Sequence, residues 1–344
     1  MTLPYRTRRF LRGLAAVALV LVLLLIAVWL VWLLWLDRYV VYTRDGAVLD
    51  FSVSDKEISG QVAVPPEDDL PISIYYNEGD NILNISTEMT QMYGYYISTS
   101  MLENEMDTIM TQLRKLPSQA PVLVEVKDIA GRFYYATDLG PVRAGVDTAA
   151  VEQLFSYLKL SDLYAIAKFP ALRDYNYGLN HVSDGIFLRS GMGLWLDDSR
   201  CYWLNPNSQG TRNYLTQIIT ELKQKGFNEV VLGDYTVPVS DKLKFTENRQ
   251  ESLLNTANTL IQSCGSDRFG ISFCVTDPAF PLPEGRTRLY LENRPASEIK
   301  TTAEQVTFDD PTVRLVFITP LNDTRFDEYS VLRPLNTAQL DEQK

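Results

Sequence analysis

From Gly13 to Leu36 the chain runs for 24 residues without a charge. As a helix that run spans roughly 36 Å at about 1.5 Å per residue, enough to cross a hydrocarbon core of about 30 Å with some tilt. Beyond Tyr93 the pattern changes. Short, nearly all-apolar runs alternate with longer stretches whose apolar positions recur every three or four residues. The short runs predict strands at Gly94–Ser98, Pro121–Val126, Leu163–Phe169, Asn228–Leu232, Phe269–Val275, Thr287–Glu292 and Val313–Thr319. An eighth is expected near Gly185–Leu188. The longer stretches predict helices at Met101–Leu116 with Ser100 as its cap, Thr148–Leu158, Tyr214–Lys225, Gln250–Cys264 and Ser297–Gln305. Gly226 and Gly265 stop the third and fourth helices. Strands that are apolar on both faces and alternate with helices belong to parallel sheets covered on both sides. A (β/α)8-type barrel is therefore the expected architecture, with an open doubly wound sheet as the alternative. No glycine-rich phosphate fingerprint follows the first strand, which argues against a dinucleotide-binding domain.

The segments outside the barrel divide naturally. Residues 1–12 form a basic tail, 13–36 an anchor, 37–92 a hairpin and linker, 93–335 the barrel and 336–344 a second tail. Arg6, Arg8, Arg9 and Arg12 precede the apolar run, and such an excess marks the cytoplasmic side of a membrane span. Trp29, Trp32 and Trp35 stand near its outer end, where indole rings favour the interface. The sequence thus predicts a single-pass cell-membrane protein with its domain outside the cytoplasm. A cleaved signal peptide fits less well, because the apolar run is long and no small-x-small site closes it. Tyr39–Tyr42 and Ala47–Val53 read as a hairpin around Asp45-Gly46. Val62–Pro71 reads as a linker and Ile72–Tyr76 as a short strand.

Charge and composition narrow the chemistry. The chain carries 43 acidic and 32 basic side chains. Setting aside the four arginines before the apolar run takes the net charge from −11 to −15. No basic stripe for nucleic acid appears. A neutral polymer such as a polysaccharide has no electrostatic conflict with this surface. Three cysteines, Cys201, Cys264 and Cys274, are too few and too oddly placed for a disulfide framework, and no zinc spacing occurs. His181 is the only histidine, and no nucleophile turn accompanies it. No metal or cofactor is implied. Acid–base chemistry falls to carboxylates, lysine or tyrosine.

Four segments together resemble a bacterial glycoside hydrolase family with a TIM-barrel fold, most of whose members are uncharacterised. They are VLVEVKDIAG (Val122–Gly131), LYAIAKFPALRD (Leu163–Asp174), GLWLD (Gly193–Asp197) with Asn205-Pro206 and Tyr214 downstream, and GFNEVVLGDYTVP (Gly226–Pro238). The resemblance covers roughly residues 93–320. It implies a barrel that cleaves glycosidic bonds with paired carboxyl groups. In the fourth segment the family's acid falls on Gly233, beside Asp234, and its arginine falls on Thr236, so the alternative expectation is a catalytically degenerate barrel that binds carbohydrate or serves as an envelope scaffold.

Barrel sites project from the C-terminal ends of the strands. Glycoside cleavage there needs one carboxylic acid and one carboxylate, about 5 Å apart in retaining enzymes and roughly 6.5–9.5 Å apart in inverting ones. Glu125 and Asp234 are the expected catalytic pair. Glu125 alternates with Leu123 and Lys127, so the three share the side that faces the barrel interior. An ion pair with Lys127 would hold Glu125 ionised, as a nucleophile requires. Lys127, Asp128, Lys168, Asp174, Trp195, Tyr235 and Glu292 are expected to contact substrate. Asp277, Tyr202 and Trp203 are further candidates. A structural salt bridge at Glu125, a turn at Asp234 and core packing for the aromatic rings are the competing readings.

Overall fold

In the computed structural model, residues 20–22, 24–25, 28–29, 40–43, 46–49 and 89–335 are described. The chain divides into two compact units, Met1–Asn81 and Ile82–Lys344. In the first unit the described residues between 20 and 29 are helical. Most of the expected anchor, like the linker and the strand at Ile72–Tyr76, lies outside the described residues. Among the described residues no helix is long and apolar enough to cross a membrane. Val40–Thr43 pairs antiparallel with Gly46–Leu49, Thr43 opposite Gly46. Gly46 therefore belongs to the second strand, where the Asp-Gly signal had placed it in the turn.

The second unit is a closed barrel of eight parallel strands. They are β1 (Tyr93–Ile97), β2 (Pro121–Glu125), β3 (Tyr164–Pro170), β4 (Glu229–Gly233), β5 (Gly270–Cys274), β6 (Leu289–Glu292), β7 (Leu315–Ile318) and β8 (Ser330–Pro334). Each strand pairs with its sequence neighbours, and β8 closes on β1 through Val331 opposite Tyr93. Seven of the eight coincide with expected strands. The eighth does not: Phe187–Leu188 pairs antiparallel with Leu243–Lys244 in a separate two-stranded sheet. Ser330–Pro334 supplies the closing strand, and its Arg333-Pro334 end disguises it as a loop.

Alternation along the strands builds two cores. Leu123, Ile166, Val231, Tyr290, Val316 and Leu332 fill the barrel interior. Val122, Val124, Ala165, Val230 and Leu289 face outward and pack with the helices. The helices carry the expected start and stop signals. Asp147 caps α3 (Thr148–Leu160) by accepting from the Ala149 and Ala150 N–H groups. Ser208 caps α5 (Gln209–Lys225), whose Thr211, Tyr214, Leu215, Ile218, Ile219 and Leu222 are buried on one stripe. Gly226 ends α5 at φ 101°, a conformation that disfavours any side chain. Asn248 caps α6 (Arg249–Cys264). The first expected helix is broken into α1 (Thr99–Asn104) and α2 (Met106–Leu113) at Glu105. Its cap is Ser98, not Ser100: the Ser98 hydroxyl accepts from the Met101 N–H. Between β3 and α5 lies an insertion that contains α4 (Tyr175–Asn180).

The lower, N-terminal end of the barrel is locked by a buried carboxylate. Glu229 is fully enclosed and pairs with Arg288 at 2.6 Å. It also accepts from the hydroxyls of Tyr164 at 2.8 Å, Ser272 at 2.6 Å and Tyr290 at 2.8 Å. This glutamate is part of the GFNE segment that carried the family resemblance. At this end of a barrel it serves the fold and stands apart from the chemistry.

Candidate active site at the mouth of the barrel

The register sets the site. Glu125, the last residue of β2, pairs with Lys168 of β3, and Pro170 of β3 pairs with Gly233 of β4. At the C-terminal mouth a cavity of about 250 Å³ is lined by Thr99, Glu125, Asp128, Lys168, Gly233, Asp234 and Glu292, among others. A second, of about 400 Å³, shares Asp234 and Glu292 and continues along Cys274, Asn293 and Arg294. A larger hollow of about 740 Å³, between Gly265, Asp267, Phe269 and Arg286, lies at the opposite ends of β5 and β6. Asp267 is its one acidic lining residue, so it offers no carboxylate pair.

Lys168 is the hub of the mouth. Its ammonium lies 2.9 Å from Glu125 Oε1 and also bonds Glu292 Oε1. Burial disfavours the ammonium, but the two carboxylates outweigh it and push the Lys168 pKa up. The other oxygen of Glu125 accepts the Thr99 N–H at 3.2 Å, so each of its oxygens has a donor. Tyr96 faces the same cluster. Burial, then Glu125 and Glu292, raise its phenol pKa.

Asp234 differs from these partners. Burial raises its pKa above the usual carboxylate value, against the pull of Arg173 and Lys168, and Glu292 adds to the rise. Its backbone sits at φ 46°, an uncommon place for a residue with a side chain, although aspartate is among those that tolerate it. The turn follows directly on Gly233, and it is Asp234 that lines both cavities. At Gly233 a Cβ would stand 3.2 Å from the Phe169 carbonyl and 3.5 Å from Lys168 Cε. A side chain there would enter the same mouth.

The structure brings together Glu125, Lys168, Asp234 and Glu292, and adds Thr99, Tyr96 and Arg173, which sequence reading did not select. The Glu125 partner is Lys168, where Lys127 was expected. Lys127 lies beyond the strand end and pairs with Asp174 at 2.7 Å, both side chains fully enclosed. It also donates to the Pro170 carbonyl at 3.0 Å. Asp174 further accepts from the Tyr214 hydroxyl at 2.9 Å and the Tyr177 N–H at 2.8 Å. Lys127 and Asp174 therefore tie the ends of β2 and β3 together, and Lys127 lines the cavity with its ammonium already committed to Asp174 and the Pro170 carbonyl. Asp128 lines the cavity but is forked by Arg132. Tyr235 is buried, its hydroxyl donating to the Leu253 carbonyl at 2.7 Å. Trp195 packs against the outer core, and Trp203 donates its indole N–H to Asp197. Tyr202 stacks on Tyr175 with ring centroids 5.3 Å apart. Asp277 accepts the Ala279 N–H in its own loop. Among the described residues no group of histidine, cysteine and carboxylate side chains could hold a metal ion.

The mouth gathers the carboxyl groups of Glu125, Asp234 and Glu292 on one cavity, the residue type that glycoside cleavage by paired carboxyl groups draws on. Residues 94–263 match the family described as "Putative glycosyl hydrolase domain". No curated protein sequence matches the chain. Among solved structures, the alpha-galactosidase of Lactobacillus brevis is similar at 10% identity and a TM-score of 0.52, over 75% of this chain and 40% of that one. Ega3 of Aspergillus fumigatus, solved in complex with galactosamine, aligns at 12% identity and a TM-score of 0.41, over 73% and 94% of the two chains. A protein of Ruminiclostridium thermocellum aligns at 15% identity and a TM-score of 0.45, over 52% and 96%. The galactosidase likeness concerns the barrel fold alone, and this chain spans 40% of that enzyme's length.

Proposed function

We propose that this protein is a glycoside hydrolase that acts on an envelope or extracellular glycan, held at the outer face of a cell membrane by residues 13–36. The observation that carries the reading is the convergence of Glu125, Glu292, Asp234 and Lys168 on one cavity at the mouth of the barrel. Asp234 is the general acid. Its raised pKa favours the protonated form that a leaving glycosidic oxygen needs. Glu125, with a donor on each oxygen, is the nucleophile or the base for water. Lys168 holds Glu125 in place, and Glu292 with Arg294 borders the sugar-binding space. The anchor is supported by the uncharged run and the arginines before it. The test is release of reducing ends from a panel of envelope and plant polysaccharides by the 344-residue chain. Release that Glu125→Gln and Asp234→Asn both abolish supports the reading.

Gly233 favours a second reading, in which the barrel binds glycan without cutting it. The family's acid falls on this position, and here it has no side chain. On that reading Gly233→Asp, placed beside Lys168, switches hydrolysis on in a protein that otherwise only binds. On the first reading it brings no gain.

A further inference from the structure

Arg173 follows β3 and sits between two carboxylates. One guanidinium nitrogen lies 2.6 Å from Asp197 of the β3–α5 insertion. Another lies 3.8 Å from Asp234 at the mouth. The Asp197 side is firmly built: its oxygens also accept the Cys201 N–H at 2.9 Å and the Trp203 indole N–H at 3.0 Å. The Trp203 ring lies 5.6 Å from the guanidinium, and Arg173 and Trp203 form a backbone bridge. The Arg173 Nε is buried and meets no acceptor among the described residues. The guanidinium is thus clamped toward Asp197 and only loosely engages Asp234.

We propose that Arg173 is a positioning residue for Asp234, and that Asp197 holds it back so that Asp234 keeps a proton to give. The proposal rests on the reading of Asp234 as the general acid. The geometry has a direct consequence. A close, two-pronged Arg173–Asp234 pair would hold Asp234 ionised and useless as an acid. Asp197 prevents that pair by competing for the same fork. The insertion that carries Asp197 thereby tunes a carboxyl group it does not touch. The other charged or titratable groups facing Asp234 are Lys168 of β3, Lys127 beyond β2, Glu292 of β6 and Cys274 of β5. None of them bonds Asp197, so the part of a change at residue 197 that passes through Arg173 is the part that disappears once Arg173 is replaced by a neutral residue.

The test is the carboxyl carbon-13 titration of Asp234 in the full chain, with selectively labelled aspartate and Asp234→Asn to assign the signal. Arg173→Gln removes the cation and moves the Asp234 midpoint up by about one pH unit. Asp197→Asn releases Arg173 toward Asp234 and moves the midpoint down. Arg173→Lys, which keeps the charge, leaves the midpoint nearer the wild-type value than Arg173→Gln does. A downward Asp197→Asn shift that is larger in the wild-type background than in the Arg173→Gln background, where only the loss of the Asp197 charge acts, supports the proposal. An unmoved midpoint in Arg173→Gln, or an Asp197→Asn shift of equal size in both backgrounds, overturns it. The titration needs no substrate. Failure of the hydrolase reading would instead appear as absent reducing-end release from a chain whose Asp234 responds as described.

Discussion

Replacing Glu229 by leucine should destabilise the barrel severely while leaving the mouth untouched. Glu229 is fully enclosed, and its partner Arg288 is 2% exposed. Leucine removes the one carboxylate that balances the Arg288 guanidinium. Arg288 keeps a long bond to the Thr90 carbonyl at 3.3 Å and the face of the Tyr164 ring at 5.8 Å, neither of which carries a negative charge. A buried charge that has lost its partner costs about 3–5 kcal/mol. The hydroxyls of Tyr164, Ser272 and Tyr290 also lose an acceptor, at about 1 kcal/mol each. These losses overlap within one network, so the expected cost is about 4 kcal/mol or more. In urea unfolding followed by circular dichroism, that is a fall in midpoint of about 1–2 M. Adding Arg288→Met should recover over half of the loss, because an apolar pair of similar volume often replaces a buried ion pair without penalty. The Asp234 titration should not move in either variant. A loss below about 1 kcal/mol for Glu229→Leu would refute the account of the lower barrel. So would a double variant no more stable than the single one.

Three further outcomes follow from the same geometry. Lys168→Met leaves Glu125 and Glu292 without their shared cation, and kcat/KM on any cleaved glycan should fall about a hundredfold while the protein still folds. Asp234→Asn should raise the melting temperature at pH 7. The Asp234 pKa is raised on folding, so its contribution to stability is full below the unfolded value near 3.9. That contribution is lost as pH rises through the folded value, and the gain from Asp234→Asn should shrink toward pH 3. Gly131→Ala should cost about 2 kcal/mol or more in urea unfolding, since Gly131 has φ 79° and a Cβ there would collide with the Asp174 carboxylate.

Most of the barrel was legible because its strands are buried on both faces and its helices carry strong stops and caps. Pro121–Glu125 and Tyr164–Pro170 read as nearly all-apolar runs, broken only by Glu125 and Lys168, and Gly226 and Asn248 punctuate as their chemistry demands. The closing strand was not legible, because Ser330–Pro334 is short and ends in Arg333-Pro334, which reads as a loop without knowledge of its partner Tyr93. At the site, alternation correctly turned Leu123 inward and set Glu125 at the mouth, but it paired Glu125 with Lys127, the wrong lysine. Cross-strand register, which only the folded sheet defines, puts Lys168 beside Glu125 and leaves Lys127 to Asp174. Gly233 suggested a lost acid. The left-handed turn at Asp234, invisible in sequence, returns a carboxyl group to the same cavity. Arg173 closed a recognised motif, but its fork between Asp197 and Asp234 depends on an insertion whose path no pattern predicts.

The central claim is that Glu125 and Asp234 act as a pair on one glycosidic bond. Reducing-end release by the wild-type chain, Glu125→Gln and Asp234→Asn, assayed together on the same polysaccharides, tests it most directly. The account predicts release by the wild type and a loss of about a thousandfold or more in each variant. Release that survives either substitution would contradict it.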